Sequence, residues 1–150
     1  MRLKILSLII FYLIGIQFTL AKDITGVWKT VDDKSGFSFA DVLITKNDNG
    51  TFSGKIIVNR SVPGKTNTGL CTGCDGVLKG KAVNNIQVLS NFIENPKNIN
   101  EYIDGKIFDP VSGNIYKGRI KLAKDGNRLI LRGYLGTSML GRNQTWIRLN

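Results

Sequence analysis

Histidine is absent from this 150-residue chain. Its absence removes the commonest metal ligand and the commonest general base together, and with them any Ser-His-Asp or Cys-His nucleophile. An enzyme built on this chain would have to work with carboxylates, Lys, Tyr or Cys. Cysteine occurs twice and proline three times, at Pro63, Pro96 and Pro110. Two cysteines without histidine fall short of the four ligands of a zinc centre. No window holds a sustained helical period, and there is no internal repeat, low-complexity tract or linker. Beyond residue 21 no stretch is apolar enough to span a bilayer.

The exception is the start. Arg2 and Lys4 precede an uncharged, mostly apolar run from Ile5 to Leu20, closed by "TLA". This is the layout of a secretory signal peptide, residues 1–21, cleaved after Ala21. The alternative, an uncleaved anchor, is opposed by a run shorter than the roughly 20 residues of a spanning helix. No Cys follows Ala21, so bacterial lipid attachment is not indicated. The mature chain would be residues 22–150, one domain of 129 residues, 150 less the first 21. That length supports a real core. It would carry 19 basic residues (21 less Arg2 and Lys4) against 11 acidic, a net charge of +8. In an exported protein such a surplus points to anionic lipid, cell-wall polymer or acidic glycan rather than nucleic acid. It also keeps the protein soluble. The basic residues are scattered and form no block.

Turn signals cut the mature chain into eight alternating runs, as half-buried strands do. These are 26–32, 37–46, 51–59, 84–92, 101–109, 114–123, 128–136 and 143–150. "NDNG" between the second and third is a hairpin signal, because Asn-Gly accepts positive φ. In "NIYKGRIKLA", Tyr116, Gly118, Ile120 and Leu122 share one face, with Lys117, Arg119 and Lys121 on the other. In the third run, Phe52, Gly54, Ile56 and Val58 share a face. The expected fold is all-β: a single antiparallel eight-stranded barrel, closed so that no edge is left bare. A β-sandwich is the alternative. Eight strands enclose an interior that fills with side chains or holds one small ligand.

"GVW" opens the first strand and "TWIR" ends the last. This placement resembles the calycins, the superfamily of lipocalins and fatty-acid-binding proteins. There a basic residue near the end of the last strand crosses a tryptophan on the first and shuts one end of the barrel. Trp28 and Arg148 match those two positions. The longer stretches "GVWKTVDDKSG", "FSGKII", "CTGC", "GKIFDPVSGNIYKGRIKL" and "LILRGYLGTSMLGRNQTWIR" run in order from residue 26 to 148. Together they resemble the bacterial exported family called domain of unknown function 2147. The resemblance implies a small envelope protein with a lipocalin-like barrel, and it implies no activity.

Cys71 and Cys74 form a Cys-x-x-Cys in a Gly-rich loop. A redox pair would want a helix N-terminus to lower the thiolate pKa, and no helical pattern follows. In an oxidising compartment the expectation is a structural disulfide pinning the 60–82 segment. A ring so small contributes only about 2 kcal/mol by chain entropy. Redox exchange is the other reading. "DDKSG" and "FDPVSG" read as turns, with Asp32, Asp33 and Asp109 as solvated turn residues. Nothing in the sequence requires a metal or another cofactor.

The hairpin "RGYLGTSMLGRNQTWIRLN" carries the remaining candidates. Two faces are possible for its first strand. One takes Leu129, Leu131, Gly133 and Leu135, and the other Ile130, Arg132 and Tyr134. The hydrophobic count turns the leucines inward. A bend at Gly133 could instead send Arg132 and Tyr134 into the barrel, where Arg132 would need a carboxylate or an anionic headgroup. With Tyr116 and Trp146 they are the candidate ligand lining. The leading function is a non-enzymatic envelope module binding a small amphiphilic or lipid-like ligand. The alternative is a structural or interaction protein with a filled barrel. Its basic surface would meet cell-wall polymer, anionic lipid or a partner protein. An enzyme using carboxylate and Tyr chemistry is the third possibility.

Overall fold

The structure, a computed structural model, describes residues 22–61, 64, 69–137 and 141–149. The apolar leader at residues 1–21 lies outside them, as do Met139 and Leu140 of the hairpin tip. Eight strands follow in chain order: β1 (Gly26–Val31), β2 (Ala40–Lys46), β3 (Phe52–Asn59), β4 (Gln87–Glu94), β5 (Glu101–Phe108), β6 (Ile115–Leu122), β7 (Arg128–Tyr134) and β8 (Arg142–Leu149). Each pairs antiparallel with the next, and β8 returns to β1, so the sheet is a closed barrel and not a sandwich.

Local chemistry sets most boundaries. Gly50 sits at φ +80° in the β2–β3 turn, where its N–H donates to the Asn47 carbonyl. β4 starts three residues later than its apolar pattern, because Asn85 adopts φ +68° and the backbone of 85–86 bonds to Ile56 instead. β6 keeps its alternation, with Gly118, Ile120 and Leu122 buried and Lys117, Arg119 and Lys121 exposed. β3 does not keep it throughout. A register shift at Asp41/Val42 sets Val58 opposite Asp41, and Val58 turns outward with 39% exposure.

The two ends of the barrel differ. The lower end carries the β2–β3, β4–β5 and β6–β7 turns and both termini of the sheet. Trp28 is fully buried there, and its indole N–H donates to the Ile24 carbonyl at 2.8 Å. The Arg148 guanidinium lies 4.3 Å above the Trp28 ring. It donates to the carbonyls of Gly126, Thr25 and Asp23. Burial lowers the Arg148 pKa, and Asp23 opposes that shift. In the middle of the barrel Phe92 is fully buried and reaches across to β5 and β6. A Cβ on Gly105 would stand 2.3 Å from its ring, and one on Gly118 2.5 Å. The ring fills the space these two residues leave.

Two outcomes follow. Trp28→Ala should behave as a core truncation, lowering unfolding free energy by about 3–5 kcal/mol; unchanged stability would place the indole outside the core. The second concerns Tyr102, edge-on to Phe52 with 5.0 Å between ring centroids. Burial pushes the Tyr102 phenol up to about 12, with Asp23 and Glu94 adding to the shift. Between the ordinary phenol pKa near 10 and that value, the unfolded chain releases a proton that the folded chain keeps. Stability should therefore fall as pH rises from about 10 to 12. Tyr102→Phe should flatten that fall in urea titrations, whereas parallel curves for the two proteins would place the phenol in solvent.

Candidate functional site

The upper end carries the long connections: residues 32–39, 60–86, 109–114 and 135–141. Inward-facing side chains here are different in kind from those below. On β8 the alternation that buries Trp146 continues upward through Gln144 to Arg142. The Trp146 indole N–H donates to the Gln144 side-chain oxygen at 3.2 Å. Trp146 lies opposite Thr30 on β1 and Leu129 on β7. Tyr116 is half-buried at the top of β6, its hydroxyl accepting from the Asn114 amide at 3.3 Å. Beside it, a Cβ on Gly133 would lie 3.3 Å from Ile107 and 3.7 Å from Tyr116. Ile107, Tyr116, Gly133 and Gln144 thus stand toward the upper ends of their strands on the inner face, and all four are only partly buried.

The rim is held by charge. Arg142 donates to Asp32 at 2.5 Å and to Asp33 at 2.6 Å. Asp33, then Asp32, raises the Arg142 pKa. Asp32 is 4% exposed and also accepts from the Ser35 N–H and hydroxyl. The expectation of a solvated Asp32 is corrected: the β1–β2 loop folds its carboxylate inward onto β8. Two carboxylates face this one guanidinium, so the charge of Arg142 is already met within the protein.

Cys71 and Cys74 are joined by a disulfide, with Cα atoms 5.4 Å apart. The turn they close docks on the β5–β6 turn. The Gly73 N–H donates to the Pro110 carbonyl at 2.9 Å, and the Thr72 hydroxyl to the Val111 carbonyl. The approach is so close that a Cβ on Gly73 would lie 2.0 Å from the Gly113 nitrogen. Cys71, Cys74, Val83 and Ile86 join the core cluster, so the connection from Cys71 to Ile86 packs down on the barrel.

The four candidate lining residues separate. Tyr116 and Trp146 face in. Arg132 and Tyr134 do not, and the inward reading of them is corrected. β7 pairs straight through Gly133 without a bend, and Leu129 and Leu131 are buried. Arg132 lies opposite Arg119 on the outer face and donates to Asn143 at 2.8 Å. Gln144 and Arg142 were not among the site residues expected from the sequence, although counting back by two from Trp146 reaches both. Among the described residues, no group of three or more His, Cys, Asp or Glu is placed to hold a metal. No helix among them is long and apolar enough to cross a membrane.

A closed eight-stranded antiparallel barrel, shut at one end by an arginine over a tryptophan, is a lipocalin-like architecture. A solved structure titled protein HP1028 from the human pathogen Helicobacter pylori, which belongs to the lipocalin family, superposes with a TM-score of 0.68. It shares 21% identity, over 85% of this chain and 84% of that one, a likeness that shows the fold. Residues 26–148 match DUF2147, described as uncharacterised proteins conserved in bacteria, and the chain belongs to that family. No curated protein matches it.

Gly73→Ala should force the disulfide turn off the β5–β6 turn. The expected loss is about 1–3 kcal/mol in chemical unfolding, as for other overpacked sites. Full stability in Gly73→Ala would separate the two turns.

Proposed function

We propose that the protein is an exported, non-enzymatic binding protein, periplasmic or secreted, that takes a small amphiphilic molecule at the upper mouth of its barrel. The observation that carries this reading is the contrast between the two ends. Trp28, Phe92, Ile120 and Leu129 are fully buried below, while Ile107, Tyr116, Gly133 and Gln144 are left partly open above. The lipocalin-like fold supports the same reading by analogy. Phe92 confines any ligand to the upper part of the interior. Ile107 and the Tyr116 ring offer apolar contact, and the Gln144 amide offers hydrogen bonds. Because Arg142 is already met by two carboxylates, the fitting headgroup is uncharged and hydrogen-bonding. Export is supported by the charged-then-apolar leader and by the Cys71–Cys74 disulfide, which persists in an oxidising compartment.

Titration with monododecanoylglycerol should give a saturable change in tryptophan fluorescence, and Gly133→Leu should abolish it while the protein still folds. Dodecanoate should bind more weakly than the neutral amphiphile. No saturable change, or full binding in Gly133→Leu, would remove the mouth as a site. Native mass spectrometry of protein isolated from the envelope should give a chain starting at Lys22, oxidised at its two cysteines. Retention of residues 1–21 would show an anchored protein instead.

A further inference from the structure

The basic residues that look scattered along the chain are gathered by strand register. On the outer face of β5, β6 and β7, Lys106 lies opposite Lys117, and Lys117 opposite Tyr134. One row lower, Arg119 lies opposite Arg132. Below that, Lys121 lies opposite Ile130. Rows on one face are about 6.6 Å apart and strands about 4.8 Å. Five basic side chains therefore share a patch about 14 Å by 10 Å. Two acidic residues, Glu101 and Asp104, adjoin it, so five less two leaves a net charge of +3. Glu101 is 3.5 Å from Arg119 and also accepts from Asn95 and Asn98.

Like charges directly opposite across strands destabilise a sheet. Two such pairs, Lys106 with Lys117 and Arg119 with Arg132, stand side by side here. The same face carries the exposed aliphatic side chains Ile115 at 59% and Ile130 at 44%, and it continues onto β8 with Ile147, opposite Arg128 of β7, at 44%. Between the upper lysines and Tyr134 lies an open concavity of about 440 Å³, also lined by Asp104, Gly105 and Gly136.

We propose that this outer face of β5–β7 docks the protein on an anionic phospholipid surface. Phosphate groups relieve the paired repulsions, and each basic residue near an anionic bilayer adds attraction. The isoleucines and the Tyr134 ring decide between lipid and polymer. Aliphatic side chains set among cations gain by entering the headgroup–acyl boundary, and a soluble polyanion gives them nothing to enter. The face is separate from the mouth and does not depend on a ligand there.

The test is cosedimentation with vesicles of phosphatidylcholine containing phosphatidylglycerol, against phosphatidylcholine alone, at low and high salt. Binding should require phosphatidylglycerol and weaken at high salt. The double variant Lys117→Gln/Arg132→Gln should bind about twenty-five-fold more weakly, at about fivefold per cation. Its thermal melt should stay cooperative, which separates weaker binding from loss of the fold. The control Lys34→Gln/Lys79→Gln loses the same charge from exposed positions in the upper loops and should bind as the parent does. Ile130→Ser should lower affinity further, and Gly133→Leu should leave vesicle binding unchanged. Equal weakening in the two double variants would reduce the effect to net charge and overturn the proposal. So would equal binding to phosphatidylcholine alone. Preference for soluble polyphosphate with no effect of Ile130→Ser would also overturn it and assign the face to a polymer.

Discussion

Closure of the sheet rests on the Arg148 guanidinium. It stacks on Trp28 and donates to three backbone carbonyls, from Asp23, Thr25 and Gly126. Two of these carbonyls lie just before β1 and the third in the β6–β7 turn, while Arg148 itself stands near the end of β8. A guanidinium can do this because its donors are spread around a plane while its flat face remains available to the indole. The Trp28 N–H is in turn satisfied by Ile24, and among the described residues no buried side-chain nitrogen or oxygen is left unpaired. The β1–β8 pairing, which turns an open meander into a barrel, is anchored next to this arrangement.

With one end shut, the interior becomes a question of volume. Phe92 occupies the middle because Gly105 and Gly118 carry no side chains. The glycines are therefore part of the packing and not vacancies in it. At the level of Phe92 the interior therefore has no room for a deep cavity of the sort an eight-stranded barrel can enclose. At the upper end the Arg142–Asp32–Asp33 cluster ties the β1–β2 loop to β8, and the disulfide turn sits on the β5–β6 turn. The mouth is framed by two polar clasps of different chemistry, one ionic and one made by close contact of Gly73 with Gly113.

The outside of the barrel follows a different logic. A strand that alternates cleanly places all its charges on one face. When β6 is flanked by strands that do the same, charges of one sign align across the ladder. Arg132 and Tyr134 belong to that alignment. Their meaning changes with the face they occupy: inside they would have been ligand contacts, and outside they are part of a cationic surface.

The eight strands and their antiparallel order were legible in the sequence, because alternation and turn chemistry such as Asn49-Gly50 are properties of short segments. The Trp28–Arg148 closure was read from the resemblance to calycins. The start of β4 and the facing of Val58 were not legible, since a left-handed Asn85 and a register shift opposite Asp41 overrode the apolar pattern. Of the candidate site, Tyr116 and Trp146 were read onto the inner face, while Arg142 and Gln144 were not named as site residues and Asp32 was read as a solvated turn. Asp32 and Arg142 are 110 residues apart. Only the closing of the barrel brings them within hydrogen-bonding distance, and only the β5–β6–β7 register sets Lys106 against Lys117 and Arg119 against Arg132. Register is a long-range property: a slip of one residue would exchange every inward and outward side chain. The sequence by itself determined which strands form, and the tertiary structure decided which side chains meet.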